Sequence, residues 1–301
     1  MPPQIFFPDT PDLPLPPGHR FPAGKYKALR RLIEADGILG GAALRASPVA
    51  TRAELLAAHD PAYVDAVLEG RLSPDEQRRI GIPWSPILAL RAATVAGGTL
   101  AAARSGLRDG VSGQLAGGTH HAHASFGAGF CVFNDVAVAA LTLLGEGAIR
   151  RAAVLDLDVH QGDGNAAILG PDDRVLVASI HGARNFPFLK PPSDIDVALP
   201  DGSGDAAFMA ALDGVLPAVA DFRPDLVFYI AGVDPLAEDR LGRLSLSLDG
   251  LAARDRAVLR QCRDRGLPVV VLPGGGYAEP IDLTVAAYAN TFRALAEVYG
   301  L

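Results

Sequence analysis

Residues 154–164 read VLDLDVHQGDG, and this stretch decides how the rest of the chain is organised. Ala153, Val154 and Leu155 carry the apolar signal of a buried parallel strand, which then runs out into acids and a histidine. Asp156, Asp158 and His160 fall at alternate positions, so an extended chain would send all three side chains to one face. A solvated edge strand gives a similar alternation, but the hydrophobic flanks place this one in the interior. Carboxylates buried there cost on the order of several kcal/mol each unless a cation compensates them. Asp and His at this spacing offer oxygen and nitrogen ligands suited to zinc or a similar divalent ion; the alternative is a hydrogen-bonded structural network.

The chain around it has 301 residues, 49% hydrophobic and 20% charged, enough for one large α/β domain with a substantial core. No polar linker or repeat divides it, so a single domain over 1–301 is expected, with residues 1–22 as a proline-rich loop segment. The formal charge of -7, with scattered basic residues, gives no phosphate footprint and argues against a nucleic-acid partner, while an acidic surface tolerates a cationic substrate. Cys131 and Cys262 are too few for a disulfide framework or a zinc-thiolate cluster and fit a reducing cytoplasm. The N-terminus lacks the basic-then-apolar order of a secretory signal, and the charge-free helical stretch Ala92 to Ala103 is short for a bilayer. A cytoplasmic protein without membrane association is therefore expected.

Working outward, prolines keep the first twenty-odd residues extended, with a short strand at Ile5 to Phe7. Helical patterns follow from Ala23 to Ala35, after the cap pair Asp60-Pro61, after Ser73-Pro74, and from Pro86 through Ala103. Beyond residue 110 strand and helix alternate, the signature of a parallel sheet covered by helices on both faces. Strands are expected at 112–116, 152–158, 174–180, 225–231 and 268–273, and helices at 134–145, 163–169, 205–220, 249–265 and 280–298. Ligands gather at the carboxyl ends of such strands, where the unusual polar clusters of this sequence fall.

After the strand ending near Ala116 comes GGTHHAHASFGAGFCVFND, in which adjacent His120 and His121 in a glycine-flanked loop suggest acid/base work rather than core packing. His123 reads as a bystander, and Asn134-Asp135 as a helix cap. After Ala231, Gly232-Val233-Asp234-Pro235 puts a carboxylate at a strand end, where Asp234 can complete a three-ligand set with Asp158 and His160. Three protein ligands leave a position for water, the mark of a catalytic zinc site. Pro273-Gly274-Gly275-Gly276-Tyr277 can bring a tyrosine hydroxyl into a tight site; a surface turn aromatic is the alternative.

HDPAYV (59–64), IGIPWS (80–85), GGTHH (117–121), GFCVFND (129–135), DLDVHQGDG (156–164), AGVDP (231–235) and GGGY (274–277) together resemble the zinc-dependent histone deacetylase family of the arginase/deacetylase fold, in its bacterial class IV-like branch. That resemblance implies one Zn2+ per chain on Asp158, His160 and Asp234, the histidine pair His120 and His121 oriented by Asp156 and Asp163, and a Tyr277 hydroxyl donating to the scissile carbonyl. It also implies a structural K+ matching Asp156, Asp158, His160, Ser179 and Ile180, and an acyl-lysine channel matching Gly129, Phe130 and Phe186. Lys25 falls near the place of an internal-channel arginine. The implied activity is hydrolysis of an acetyl or longer acyl group from a lysine side chain or a related acylated amine, with acetylpolyamines or small acetylated metabolites as alternative substrates.

A binuclear-manganese ureohydrolase shares the fold but needs more carboxylates, and here Gly162 and Gly232 stand where aspartates would be wanted. A catalytically dead acyl-ligand-binding protein would not need every residue of the machinery. Oligomeric state and acyl chain length are not legible in the sequence.

Overall fold

The computed structural model describes residues 3–301. Its strands are β1 (Gln4–Phe7), β2 (Ala43–Ala46), β3 (Val111–Gln114), β4 (Ala152–Asp156), β5 (Val175–Gly182), β6 (Ile195–Leu199), β7 (Leu226–Ile230) and β8 (Val269–Leu272). They form one sheet in the order β2-β1-β3-β8-β7-β4-β5-β6, parallel at every junction. The central strands AAVLD, LVFYI and VVVL are buried throughout, as parallel strands covered on both faces must be. Their alternation divides two cores. Leu155, Tyr229 and Val271 pack on one face, while Val154, Phe228 and Val270 pack on the other.

The first core is closed by α1 (Lys25–Ala35), α8 (Asp205–Asp221), α9 (Leu248–Arg265) and α10 (Ile281–Tyr299). The second is closed mainly by α3 (Pro61–Glu69), α5 (Pro86–Asp109) and α6 (Asp135–Gly145). The short helices α2 (Arg52–Leu55), α4 (Pro74–Ile80) and α7 (Asp163–Leu169) complete the chain. The parallel α/β sheet with helices on both faces is thus as the alternation of elements implies.

Three departures matter. The edge strands β2 and β6 were not anticipated, because ALRA and IDVAL are short, half-exposed and mixed with polar residues. Helix α5 does not stop at Ala103: capped by Ser85, whose hydroxyl accepts from the Leu88 N–H, it runs 24 residues to a left-handed Gly110. It is therefore long and apolar enough to cross a membrane, contrary to the shorter segment expected; yet two-thirds of its apolar window is buried inside this protein, so it is a core helix here. The third departure lies at the end of β4.

Candidate active site

Strand β4 ends at Asp156 rather than Asp158. Leu157 makes the last ladder bond, to the Ile230 carbonyl at 3.0 Å. The carboxylates then capture their own backbone: Asp158 N–H donates to Asp156 Oδ1 at 3.2 Å, and His160 N–H to Asp158 Oδ1 at 3.0 Å. Such local side-chain turns compete with strand pairing, so the expectation of three side chains on one extended face is wrong. Asp156 points to His120, while Asp158 and His160 turn toward Asp234 in the loop after β7.

There the donor atoms of Asp158, His160 and Asp234 lie within 4.8 Å of one another, all three residues buried. His160 Nδ1 sits 3.0 Å from Asp158 Oδ1 and 3.1 Å from Asp234 Oδ2. Ligands about 2 Å from a tetrahedral zinc stand roughly 3.3 Å apart, so this oxygen, nitrogen and oxygen set fits a divalent metal. Burial, then the charge of Asp158, pushes the Asp234 carboxyl up to about 7, as expected of a carboxylate cluster in need of a cation. Aspartates at the two glycine positions would find no room: a Cβ at Gly232 would lie 2.5 Å from Asp158 Oδ2, and one at Gly162 2.5 Å from Asp156 Oδ2. Among the described residues no second metal-ligand group occurs.

The histidine pair follows β3. His120 Nδ1 lies 2.8 Å from Asp156 Oδ2, and His121 Nδ1 lies 2.6 Å from Asp163 Oδ1. An ionised carboxylate only accepts, so each Nδ1 carries a proton and directs Nε2 away from its partner. The two rings are tuned apart. Burial would lower His120, but Asp156 and Asp158 outweigh it and raise it to about 9. Burial, aided by the charge of His120, holds His121 down to about 4 against the pull of Asp163. Burial thus favours a neutral His121 with a free Nε2 lone pair, while the neighbouring carboxylates favour the protonated form of His120. His123 is no bystander: its Nε2 meets the other oxygen of Asp163 at 3.1 Å.

Tyr277 follows β8 and is half-buried in the cleft, its ring 5.8 Å from that of Phe130. Phe130, held at a positive φ of 67° by a 2.7 Å bond from its N–H to the Ile80 carbonyl, forms one wall with Gly129. Phe186 packs edge-on to His121 at 4.9 Å and forms another wall. These residues and the metal set share one cavity of about 740 Å³.

A model of the histone deacetylase domain matches residues 19–294 of this sequence. The chain belongs to the histone deacetylase family. It is 41% identical to an uncharacterized protein of Picosynechococcus sp. over 298 residues, 99% of each chain. It is 32% identical to a histone deacetylase-like amidohydrolase of Pseudomonas aeruginosa, over 88% of this chain and 74% of that protein. The fold superposes on a crystal structure of an HDAC homolog complexed with SAHA, with a TM-score of 0.84 and 26% identity, covering 100% of this chain and 84% of the other. The protein is a hydrolase of this deacetylase and amidohydrolase family.

Within this chain of the deacetylase family the sequence reading missed the support given by Asp135, Asp239 and Arg254, and named Lys25 only by its nearness to the place of an internal-channel arginine. Asp135, read only as part of a cap, accepts from the N–H groups of Gly118 and Thr119 at 3.0 and 2.7 Å and so holds the loop that carries both histidines. Asp239 accepts from the Tyr277 N–H at 2.6 Å. Lys25 is buried beneath Tyr277, its Nζ 4.5 Å from the ring centroid and donating to the Gly276 carbonyl at 2.9 Å. Burial lowers Lys25 to about 8, against the opposing pull of Asp234. Arg254 of α9 is fully buried and donates from Nη1 to the carbonyls of Gly232 at 2.6 Å and Leu157 at 3.2 Å, tying together the two loops that carry Asp158 and Asp234. Asp255, which accepts from Arg254 Nε at 2.9 Å, is itself gripped by Tyr229 and Thr291. One signal was available: Leu251, Arg254, Asp255, Val258, Leu259 and Cys262 follow a helical period and form one buried face.

Proposed function

We propose that this single catalytic domain is a zinc-dependent deacylase that removes acetyl or longer acyl groups from a lysine side chain or a related acylated amine. The convergence of Asp158, His160 and Asp234 beside a neutral, carboxylate-oriented His121 carries the reading. A zinc ion on these three ligands supplies a Lewis acid for the amide carbonyl and lowers the pKa of water toward about 7. His121 Nε2 takes the water proton as general base and returns it to the leaving amine, a contribution of roughly 10²- to 10⁴-fold. Asp163 holds the His121 ring in the tautomer that leaves Nε2 free. His120, oriented by Asp156, tunes the electrostatics beside the developing negative charge. The Tyr277 hydroxyl donates to the carbonyl oxygen as it becomes an oxyanion, and burial, which keeps this phenol protonated well above its usual range, suits it to that task. Gly129, Phe130 and Phe186 enclose the alkyl stem of the substrate.

Asp156 and Ser179 are register partners across β4 and β5, and Ile180 follows Ser179. We assign to them, with the backbone of Asp158 and His160, a structural K+ site. Buried, free Cys131 and Cys262 agree with action in the reducing cytoplasm.

Hydrolysis of an acyl-lysine peptide, abolished by a chelator and restored by zinc, tests the activity. Tyr277→Phe tests the oxyanion role: turnover should fall by about 10²-fold or more with little change in substrate binding. A phenylalanine variant with near-normal turnover refutes that role.

A further inference from the structure

The net charge of -7 does not describe the mouth of the cleft. Among the described residues, the acids that line the cavity are Asp158 and Asp234, both already engaged in the metal set. The other charged residues lining it are arginines: Arg20, Arg79, Arg91, Arg184 and Arg243. Basic residues number 27 against 34 acids in the chain, so an all-arginine lining is a local inversion of the protein's charge.

Four of these arginines flank the two channel walls. On the Phe130 side, Arg20 stands between His19 and Phe21, whose rings lie 6.4 and 5.4 Å from that of Phe130. Arg79 precedes Ile80 and its carbonyl accepts from the Gly129 N–H at 3.3 Å. Both arginines are exposed, and neither has a carboxylate within ion-pair distance among the described residues; the Arg79 guanidinium lies over the Phe126 ring. On the Phe186 side, Arg184 and Arg243 share one carboxylate, that of Asp201, at 2.6 and 3.2 Å, which leaves a positive charge in excess. Arg243 is fixed there by its N–H to Asn185 Oδ1 at 3.2 Å. An acylated amine threaded between Phe130 and Phe186 therefore emerges among arginines on both sides.

We infer that the substrate carries negative charge next to its acylated amine, as a carboxylate or a phosphate, and that these arginines select it. Guanidinium groups pair such anions bidentately, and a rim of one charge also steers the approach of the opposite charge. The inference rests on the deacylase reading of the site. It disfavours acetylpolyamines and lysines set in basic tails, whose cations would face this rim without partners, and reverses the tolerance for cations that overall charge suggests.

The test compares acetyl-lysine peptides of equal length flanked by aspartates, phosphoserines, alanines or lysines, with kcat/KM measured at low and at high salt on the zinc-loaded full chain. The anionic peptides should exceed the lysine-flanked one by roughly 10-fold or more at low salt, with the ratio shrinking toward one at high salt. Comparing aspartate with phosphoserine separates the two anion sources. Arg20→Glu combined with Arg79→Glu should invert the preference, whereas a folding defect lowers all peptides alike and leaves the ratio unmoved. Equal rates, or preference for lysine flanks, while the alanine peptide is turned over would overturn this inference alone. Turnover of none of the four would overturn the deacylase reading and this inference with it.

Discussion

Replacing Gly275 with alanine adds one methyl group where the structure has space for none. A Cβ built there lies 2.8 Å from Asp158 Oδ2 and 2.9 Å from Asp234 Cγ, and meets Asp234 Oδ2 closer still. Ordinary carbon to oxygen contact is roughly 3.4 Å, so the Asp158 and Asp234 carboxylates would have to retreat by more than half an ångström or the glycine loop would have to lift. Either shift also disturbs the 2.6 Å bond from the Gly275 N–H to Asp158 Oδ2. Displacements of about 1 Å near reacting groups cost on the order of 10²-fold in rate, and disturbing groups that orient metal ligands costs about 10- to 100-fold in affinity. Gly275→Ala should therefore lose zinc to a competing chelator at least tenfold more readily and fall about 10²-fold in kcat/KM. Gly214→Ala in α8, where a Cβ meets nothing within 4 Å, is the control and should be neutral or stabilising by roughly 0.5–1 kcal/mol. A Gly275→Ala enzyme with wild-type zinc affinity and turnover would refute the placement of the metal set.

The histidines should be unequal. His121→Ala should abolish turnover with zinc retained, whereas His120→Ala should leave measurable activity; equal, mild losses in single-turnover assays would mean that the base lies elsewhere. Arg254→Met strands two backbone carbonyls and Asp255, so it should destabilise the fold by about 3–5 kcal/mol in urea unfolding and weaken zinc binding about tenfold or more. Unchanged zinc affinity in that variant would reduce Arg254 to a packing element. Lys25 gives a pH signature in chelator-treated protein: held near 8 when folded against an ordinary 10.5, it has lost its proton in the folded state while the unfolded chain still binds one. Between those values stability should rise with pH, by up to about 1.4 kcal/mol per pH unit, relative to Lys25→Met. A stability gap between the two proteins that does not change from pH 8 to 10 would contradict the buried ammonium.

Much of this was legible in the sequence because the central strands are unbroken apolar runs and their ends carry glycines with acids or histidines. GGTHH, AGVDP and GGGY mark loops that can carry polar groups at the carboxyl edge of a sheet, and the structure brings His120, His121, Asp234 and Tyr277 together there. Edge strands were not legible, since IDVAL buries only part of one face and reads like loop sequence. The alternation DLDVH misled because it is also what a turn stabilised by aspartate side chains looks like, and only the three-dimensional setting decides between them. Asp239 escaped notice because it acts through a backbone amide distant in sequence, and the spacing that puts Arg254 on a buried helical face does not record which backbone carbonyls it holds. The arginine rim is assembled from separate segments and vanishes in an average over a chain of net negative charge.

The central claim is that Asp158, His160 and Asp234 hold one metal ion on which amide hydrolysis depends. Metal analysis of protein purified without chelator, run in parallel with acyl-lysine hydrolysis on the same samples, tests it most directly. About one zinc per chain is expected, lost together with turnover in Asp158→Ala and Asp234→Ala while most of the fold survives. Two manganese ions per chain with release of urea from arginine, or undiminished hydrolysis by metal-free protein, would contradict it.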